Sequence, residues 1–518
     1  MRPVALVALV LLAACAPAAP ATPAAPAQPE ERRAANQVLR ASDSGFPASA
    51  SPETAASKMH IYAAQFDALL QFGERFAVQP AAAERWEMLP DGSAWRFTLR
   101  RDMTFSNGDK LTAADVEFTI NHYISTRAPQ STVNPNVTGA RVVDEYTVDL
   151  LTRVRDYSVL YTAQYLYLFP KRYYEATGRD QFQIKPIGTG PYELADYRPG
   201  ELLVYRLRAG SPHPFRKPIL TEIRWNAIPD TSTALAGLRA GELDLVVSPF
   251  TADQADQAKR DGLNLDVQLN TSQPVRFDKG ALERTNSPML DKRVRLAMNY
   301  AIDKEAIART VYRGYGQPLG QIAPPDSVMY DESLKPFPYD PALAKRLLAE
   351  AGYPNGFRLN GPIDFSQSFQ QPALMLAIQD YLRQVGIEAQ IENRDFTTYY
   401  DIALGRGGRT RNELIAGNIA DNNGFFSLQR SLLTCELPPA ALIWCAPEFD
   451  RNYQLAQQEP DPQRRAQYLR AANKAYVDDV GMIFTVLIPQ FTISTPKTRG
   501  VKLTTPFFWN ADTIYKVE

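Results

Sequence analysis

The chain is poor in the residues that build metal centres and covalent catalytic sites. Among 518 residues there are three histidines (His60, His122, His213) and three cysteines (Cys15, Cys435, Cys445). A zinc site, an iron–sulfur cluster or a histidine-based triad gathers several such residues, so the scarcity argues against a metal, a cofactor of that kind and a catalytic role. An excess of charge of one sign is also missing, since 56 Lys+Arg against 57 Asp+Glu leave a net charge of −1 at pH 7. That balance excludes the strongly basic surface of a nucleic-acid binder and the self-repulsion of an acidic tail. Beyond Cys15 there is no apolar run of about 18 residues, the length a membrane-spanning helix needs.

What is present reads as a large globular body behind a short address. Apolar residues make up 45% and charged residues 22%, as in ordinary soluble domains. The length predicts about two to four domains with room for a large core. At the N-terminus Met1-Arg2 is followed by the apolar stretch Val4 to Ala14, too short to span a bilayer and shaped like the core of a secretory signal peptide. Its end, Leu12-Ala13-Ala14-Cys15, resembles the lipobox of bacterial lipoproteins, in which the signal (here 1–14) is removed and the thiol of the following cysteine is lipidated. An ordinary signal peptide with a chance cysteine is the alternative. Residues 15–36 then form a linker, in which prolines 17, 20, 23, 26 and 29 recur every third residue, the repeat of a polyproline II helix. Fourteen such residues reach about 40 Å, enough to hold a folded body off a membrane. With Cys15 lipidated, Cys435 and Cys445 are left to pair in an oxidising compartment, two buried free thiols being the alternative.

The body alternates strand and helix signals. Trp95 to Arg100 alternates apolar and polar behind the turn Pro90-Asp91-Gly92, which predicts a hairpin over 84–100. Thr112-Ala-Ala-Asp115 has capping-box spacing and opens a helix with Val116, Ile120, Tyr123 and Ile124 on one face. Asp340-Pro341 is an N-cap followed by a first-turn proline, with Gly352 as the stop. A second helix runs from Pro372 towards Gly386, and short β-rich stretches at Leu263–Leu269 and Ile387–Ile391 follow or separate these helices. The class is mixed α/β, without an internal repeat. Gly188-Thr-Gly-Pro-Tyr192 reads as a tight loop whose glycines take unusual dihedrals; it lacks the Lys-Ser/Thr of a phosphate loop. Arg293 and Arg295 read as surface or structural ion-pairing residues.

Five blocks, in order, carry a resemblance. They are Ala83-Glu-Arg-Trp-Glu87 through Leu111-Thr-Ala-Ala-Asp115-Val116; Gly188 to Tyr192; Ala234 to Asp244; Asp291-Lys-Arg-Val-Arg295 through Asp303; and Tyr339 to Pro354. Together they resemble the family 5 extracellular solute-binding proteins, the peptide- and nickel-binding components of ABC importers. The resemblance implies a periplasmic-binding-protein-like fold of type II, cluster C: a two-lobed clamp with an extra inserted subdomain. Lobe I is expected from 37–271 and 490–518, with the insertion at about 77–187, and lobe II from 272–489. The crossovers are expected near Leu269–Pro274 and Leu487–Ile493, with Pro274 and Pro489 limiting the motion.

The same resemblance points to site residues. Gly417-Asn-Ile-Ala-Asp421-Asn422 is similar to the stretch in which peptide binders hold the ligand ammonium with an aspartate, which makes Asp421 and its neighbour Asn422 candidates. Asn418 stands where the family has an aromatic residue, and the Asp-Pro that follows the motif is missing, so the pocket departs from the peptide-binding pattern. The stretch Ile363 to Gln371 also lacks the arginine with which dipeptide binders hold the ligand carboxylate; Arg406 and Arg409 are substitutes. Gly45 and Phe46, following the first expected strand, and the aromatic residues Phe365, Phe369, Tyr399 and Tyr400 are further candidates for the cleft. Cys435, Cys445 and Trp444 resemble the disulfide loop of the dipeptide-binding branch, with Trp444 either beside the cleft or packed on its own disulfide. The expected protein is a monomeric, periplasmic or cell-exterior lipoprotein, without cofactor or metal. It would deliver a peptide or similar small solute to an ABC permease and ATPase. A clamp-type sensor or chaperone, a peptide hydrolase and a nickel–chelate binder are the rivals.

Overall fold

The computed structural model describes residues 32–518 apart from 45–46, 48, 55–58, 74–76, 127–133, 211–212, 367–371, 404–410, 421–434, 436–443, 506–507 and 510. Three sheets organise these residues. A nine-stranded sheet runs in the order Ile419–Ala420, Asn264–Ser272, Val486–Ser494, Leu245–Val247, Val38–Asp43, Glu222–Ala227, Leu202–Leu207 and Tyr192–Arg198, with Gln317–Pro318 added to Val486–Ser494. A five-stranded sheet has the order Ile391–Asn393, Ile363–Phe365, Leu414–Ala416, Val275–Phe277 and Met482–Ile483. A four-stranded antiparallel sheet, built from Ala83–Met88, Ala94–Leu99, Thr147–Thr152 and Val137–Asp144, lies within the stretch expected as an insertion.

The sequence signals form as the local chemistry dictates. Ala83–Met88 and Ala94–Leu99 pair as an antiparallel hairpin. The Thr112 backbone N–H donates to the Asp115 carboxylate at 2.9 Å at the start of helix Ala113–Ser125. Asp340 accepts from the Leu343 N–H at 2.8 Å over helix Pro341–Glu350. Gly352 and Gly386 take positive φ after the two helices they end. The Gly188–Tyr192 loop differs from expectation. Neither Gly188 nor Gly190 has a positive φ. Both lie against the backbone of Gln65, where an added Cβ would come within 2.1 and 2.8 Å of the Gln65 carbonyl oxygen. These glycines provide close approach rather than special dihedrals. Arg293 is an exposed partner of Asp291, but Arg295 is 4% exposed and donates to the carbonyls of Met289, Leu290, Asp479 and Val480. It is a core connector, not a surface residue.

Separate cores sit under the sheets. One, centred on Val275, Phe277, Ile363, Leu414, Ile483 and the helices around them, belongs to the five-stranded sheet. Another fills the space between the four-stranded sheet and helix Ala113–Ser125. Two smaller cores hold the nine-stranded sheet, one through Trp225 and Tyr205 and one through Leu235, Val246 and Ile493. Among the described residues no helix is long and apolar enough to cross a membrane.

Candidate functional site

Strand direction places the site. Val38–Asp43 is parallel to Glu222–Ala227 and Leu245–Val247, and Leu245–Val247 and Asn264–Ser272 both run antiparallel to Val486–Ser494. Four strands of the large sheet therefore point their carboxyl ends the same way. The chain leaves Ser272 at that end and re-forms as Val275–Phe277 in the five-stranded sheet. In the smaller sheet Ile363–Phe365 is parallel to Ile391–Asn393 and Leu414–Ala416. Leu414–Ala416 and Met482–Ile483 both run antiparallel to Val275–Phe277. The carboxyl ends of these four parallel strands point back toward the large sheet, because Leu414–Ala416 and Met482–Ile483 continue into the large-sheet strands Ile419–Ala420 and Val486–Ser494. Two sheets thus oppose the carboxyl edges of their parallel strands, the edge at which open α/β sheets bind ligands.

Three chain crossings join the sheets, and one side chain ties them. Gln273 Nε2 donates to Asn418 Oδ1 at 3.1 Å, its Oε1 accepts from the Tyr312 hydroxyl at 2.9 Å, and its carbonyl accepts from Thr485 Oγ1 at 2.6 Å. The Gly417 N–H donates to the Pro274 carbonyl at 3.0 Å. The second change of sheet falls at Phe484–Thr485, ahead of the stretch Leu487–Ile493 in which the sequence reading placed it, and Pro489 lies inside strand Val486–Ser494.

Arg276 stands one residue in from this junction. Val275 and Phe277 point into the apolar core, so the alternation of a strand turns Arg276 to the opposite face, in register with Ile415. It is 5% exposed. Among the described residues it has no ion pair, and its Nε is enclosed without a hydrogen-bond partner. Its guanidinium fills the place a side chain at Gly417 would take, since an added Cβ there would stand 2.5 Å from Nη2 and 2.7 Å from Cζ. The nearby charges are already paired. Asp278 caps the helix Lys279–Thr285 through the Ala281 N–H at 2.7 Å and lies 2.5 Å from Arg411 Nε. Burial pushes the Asp278 carboxyl up and the Arg411 guanidinium down, so close packing rather than free charge dominates that pair. Arg284 donates to the Arg411 carbonyl at 3.0 Å.

The candidates read from the sequence fall in different places. Asp421, Asn422, Gly45, Phe46 and Phe369 lie outside the described residues, as do Arg406, Arg409 and Cys15; the Tyr400 side chain is also not described. By chain order Gly45 follows Val38–Asp43 and Phe369 follows Ile363–Phe365, whereas Asp421 follows Ile419–Ala420, which runs antiparallel to Asn264–Ser272. Tyr399 is 5% exposed, on helix Phe396–Ala403, and its hydroxyl donates to the Ala416 carbonyl at 2.6 Å. Trp444 is also 5% exposed, donates to Asp479 Oδ2 at 2.7 Å and lies under the Arg295 guanidinium at 4.4 Å. Phe365 is core, at 3% exposed. All three side chains are buried. Cys435 and Cys445 are disulfide-bonded, with Cα atoms 4.9 Å apart. Sequence reasoning missed Arg276 and Gln273. The signal was there in Gln273-Pro-Val-Arg-Phe, a charged residue inside an apolar alternation just beyond a crossover.

The three histidines sit apart, each against a buried carboxylate: His60 with Asp43 at 3.0 Å, His122 with Glu53 at 2.9 Å and His213 with Asp67 at 3.0 Å. These pairs tie segments of the nine-stranded sheet and the inserted region together.

The sequence pattern that defines the bacterial extracellular solute-binding proteins, family 5 (middle part), matches residues 77–429, more than half of the chain. The chain belongs to that family. It is 30% identical over 305 residues to heme-binding protein A of Haemophilus influenzae, covering 54% of this chain and 55% of that protein. It is 28% identical over 339 residues to the glutathione-binding protein GsiB of Escherichia coli, covering 64% of each. The matched part thus spans between about half and two thirds of these relatives. Among solved structures, DppA from Helicobacter pylori in complex with the peptide STSA superimposes with a TM-score of 0.78 at 21% identity, over 94% of this chain and 99% of that one. NikA from Brucella suis in complex with Fe(III)-EDTA does so at 0.76 and 21%, over 92% and 99%. The fold is that of the type II periplasmic binding proteins of family 5, the two-lobed clamp that the sequence resemblance implied.

Proposed function

We propose that this chain is the capture component of an ABC importer, enclosing a peptide or similar small solute between two lobes and handing it to a membrane permease powered by an ATPase. The observation that carries this reading is the pair of opposed carboxyl edges joined by three crossings in a family 5 chain. Lobe I comprises 37–271 and, with the crossing at Phe484–Thr485, the return from Val486 to 518, with the insertion at about 77–187, and lobe II comprises most of 272–485. Asp421 takes the ligand's cationic end, with Asn422, Gly45, Phe46, Phe369, Tyr399 and Trp444 as the further ligand contacts. The segment 1–14 is an export signal, Cys15 carries lipid, and 16–36 is the spacer that keeps a monomeric body near a membrane in the periplasm or at the cell exterior.

The observed interlobe contacts support a moving clamp rather than a fixed body. The Tyr157 N–H donates to the Gln457 carbonyl at 2.8 Å, and Gln457 Nε2 donates to Asp156 Oδ2 at 3.3 Å, bridging the insertion to helix Pro447–Gln458. Small-angle scattering of the full chain, emptied of ligand and then titrated with Met-Leu and with glutathione, tests the reading. A fall in the radius of gyration with saturable binding is expected. Identical profiles across a broad peptide panel would refute it. Asp421→Ala is expected to weaken binding by about 2–4 kcal/mol, the scale for losing a desolvated charge partner, and unchanged calorimetric affinity removes Asp421 from the site. A metal-chelate cargo is a second reading, favoured by the likeness to NikA holding Fe(III)-EDTA; in it the chelator supplies the metal ligands.

A further inference from the structure

We infer that Arg276 is the anion anchor of the binding crevice, and that the cargo carries a carboxylate which this guanidinium grips. The inference rests on the solute-binding reading above and goes beyond it by naming the ligand's chemical class and the residue that selects it. A buried, ionised group without a partner is costly and persists where a partner arrives or where function holds it there. Arg276 meets that description, being 5% exposed with no ion pair among the described residues and an enclosed, unsatisfied Nε. Arginine is always protonated, so it cannot relieve the cost by losing its charge.

The surroundings exclude the internal candidates for that partner. Asp278, the nearest carboxylate in sequence, accepts from the Ala281 N–H with one oxygen and is ion-paired with Arg411 through the other, which accepts no hydrogen bond among the described residues. Glu413 is taken by Thr285 and by the Asn360 side chain, the latter at 2.9 Å. Asp364 is held by Arg394 at 2.9 Å and Asn412 at 2.7 Å. The neighbouring cations Arg284 and Arg411 add positive potential and no acceptor.

Position supplies the rest of the argument. Arg276 lies beside Gly417, on the segment that crosses between the sheets and leads to Asp421. Any side chain larger than hydrogen at Gly417 would drive into the guanidinium, so the glycine keeps the fork in place. A planar fork suits a carboxylate through two parallel N–H···O bonds.

The test uses the full chain stripped of ligand, with Met-Leu and glutathione as probes beside their carboxamide forms. Calorimetry is expected to show the free acids binding at least 100-fold more tightly than the amides. Arg276→Gln is expected to remove that preference, weakening the acids by 100-fold or more and leaving the amides unchanged, while Arg276→Lys restores part of it. Equal affinity of wild type for acid and amide, or an Arg276→Gln protein that still prefers the acid, overturns the proposal. A second readout needs no ligand. Arg276→Met removes an unpaired buried charge, so the empty variant is expected to melt no lower than wild type. A fall of several degrees makes Arg276 a structural residue and overturns the proposal. If no probe binds wild type, the peptide reading of the cargo fails, and the melting comparison alone decides Arg276.

Discussion

Replacing Arg216 by methionine removes the centre of the largest buried ion network in the described part of lobe I. Arg216 Nε and Nη2 donate to Asp512 Oδ2 and Oδ1 at 2.8 and 2.9 Å, a bidentate fork. Its Nη1 donates to the Ala63 carbonyl at 2.7 Å and lies 3.4 Å from Asp67 Oδ1. Asp67 also accepts from Thr189 Oγ1 at 2.9 Å and pairs with His213 at 3.0 Å. The side chains of Arg216, Asp67 and Asp512 are 10%, 5% and 11% exposed, so water cannot replace the lost contacts. Burial opposes the Arg216 charge, but Asp512 and Asp67 outweigh it and raise its affinity for the proton. Methionine keeps most of the volume, takes the bidentate cation from Asp512 and leaves Asp67 with His213 as its one cation among the described residues.

Breaking one member of such a buried pair costs about 3–5 kcal/mol. For a cooperative unit of about 250 residues each kcal/mol moves the midpoint by about 2–4 °C, so the lobe should melt on the order of 10 °C lower. Differential scanning calorimetry reads this directly. Arg216→Met combined with Asp512→Leu should recover about half of the loss, because the Asp512 charge that lost its cation is gone. A single variant melting within about 2 °C of wild type would refute the network's role, and so would a double variant no more stable than the single one.

Three further outcomes are expected. Burial pushes the Asp67 carboxyl up, but His213, Arg216 and Thr189 together hold it down at about 2 against an ordinary 3.8. A depressed carboxylate contributes stability that is complete above pH 4 and is lost as pH falls from about 4 to about 2, roughly 2 kcal/mol in all; urea unfolding of Asp67→Asn across that window should show a flatter acid limb than wild type. Gly188→Ala puts a Cβ 2.1 Å from the Gln65 carbonyl oxygen, so chemical denaturation should show a loss of about 3 kcal/mol or more; wild-type stability would exclude the close-approach explanation. Gln457→Glu sets a second carboxylate against Asp156, whose oxygens already serve Asn136 at 2.8 Å and Ser158 at 2.5 Å, and scattering should give a larger radius of gyration for the empty variant than for wild type, an unchanged radius removing Gln457 from the lobe contact.

The scaffold was legible because its signals are local. The capping at Thr112 and Asp340, the hairpin at Ala83–Leu99 and the glycine stops at Gly352 and Gly386 depend on residues a few positions apart, and each forms as read. The role of Gly188 and Gly190 was misread because the atom that excludes a side chain, the Gln65 carbonyl oxygen, lies more than 120 positions away in sequence. For Arg295 the structural ion-pair alternative holds, with Asp479 at 3.8 Å, but the carbonyls of Asp479 and Val480 that also hold it come from a distant helix end and leave no local signal. The ion network at Asp67 unites residues 67, 189, 213, 216 and 512, and no periodicity in the chain marks them as neighbours. Most site residues named by resemblance lie, by chain order, outside regular strands and helices, where side-chain spacing carries no period to read.

The crossover architecture also explains why one chain can hold a guest and release it. The nine-stranded sheet has two cores of its own, and only its ends at Ile419, Val486 and Ile488 reach the core of the five-stranded sheet, so the proposed clamp would bend at the three crossings. Gln273 hydrogen-bonds to Asn418, Thr485 and Tyr312 at once, which couples the three crossings and restricts them to a common motion. A solute that touches both carboxyl edges favours the closed arrangement only by its difference in affinity for the two states. Moving a clamp from one part closed in a hundred to ninety-nine needs about 5.5 kcal/mol of that difference. A charge-assisted contact from each lobe is of the right size for that work, whereas apolar packing on one lobe alone would bind without closing anything.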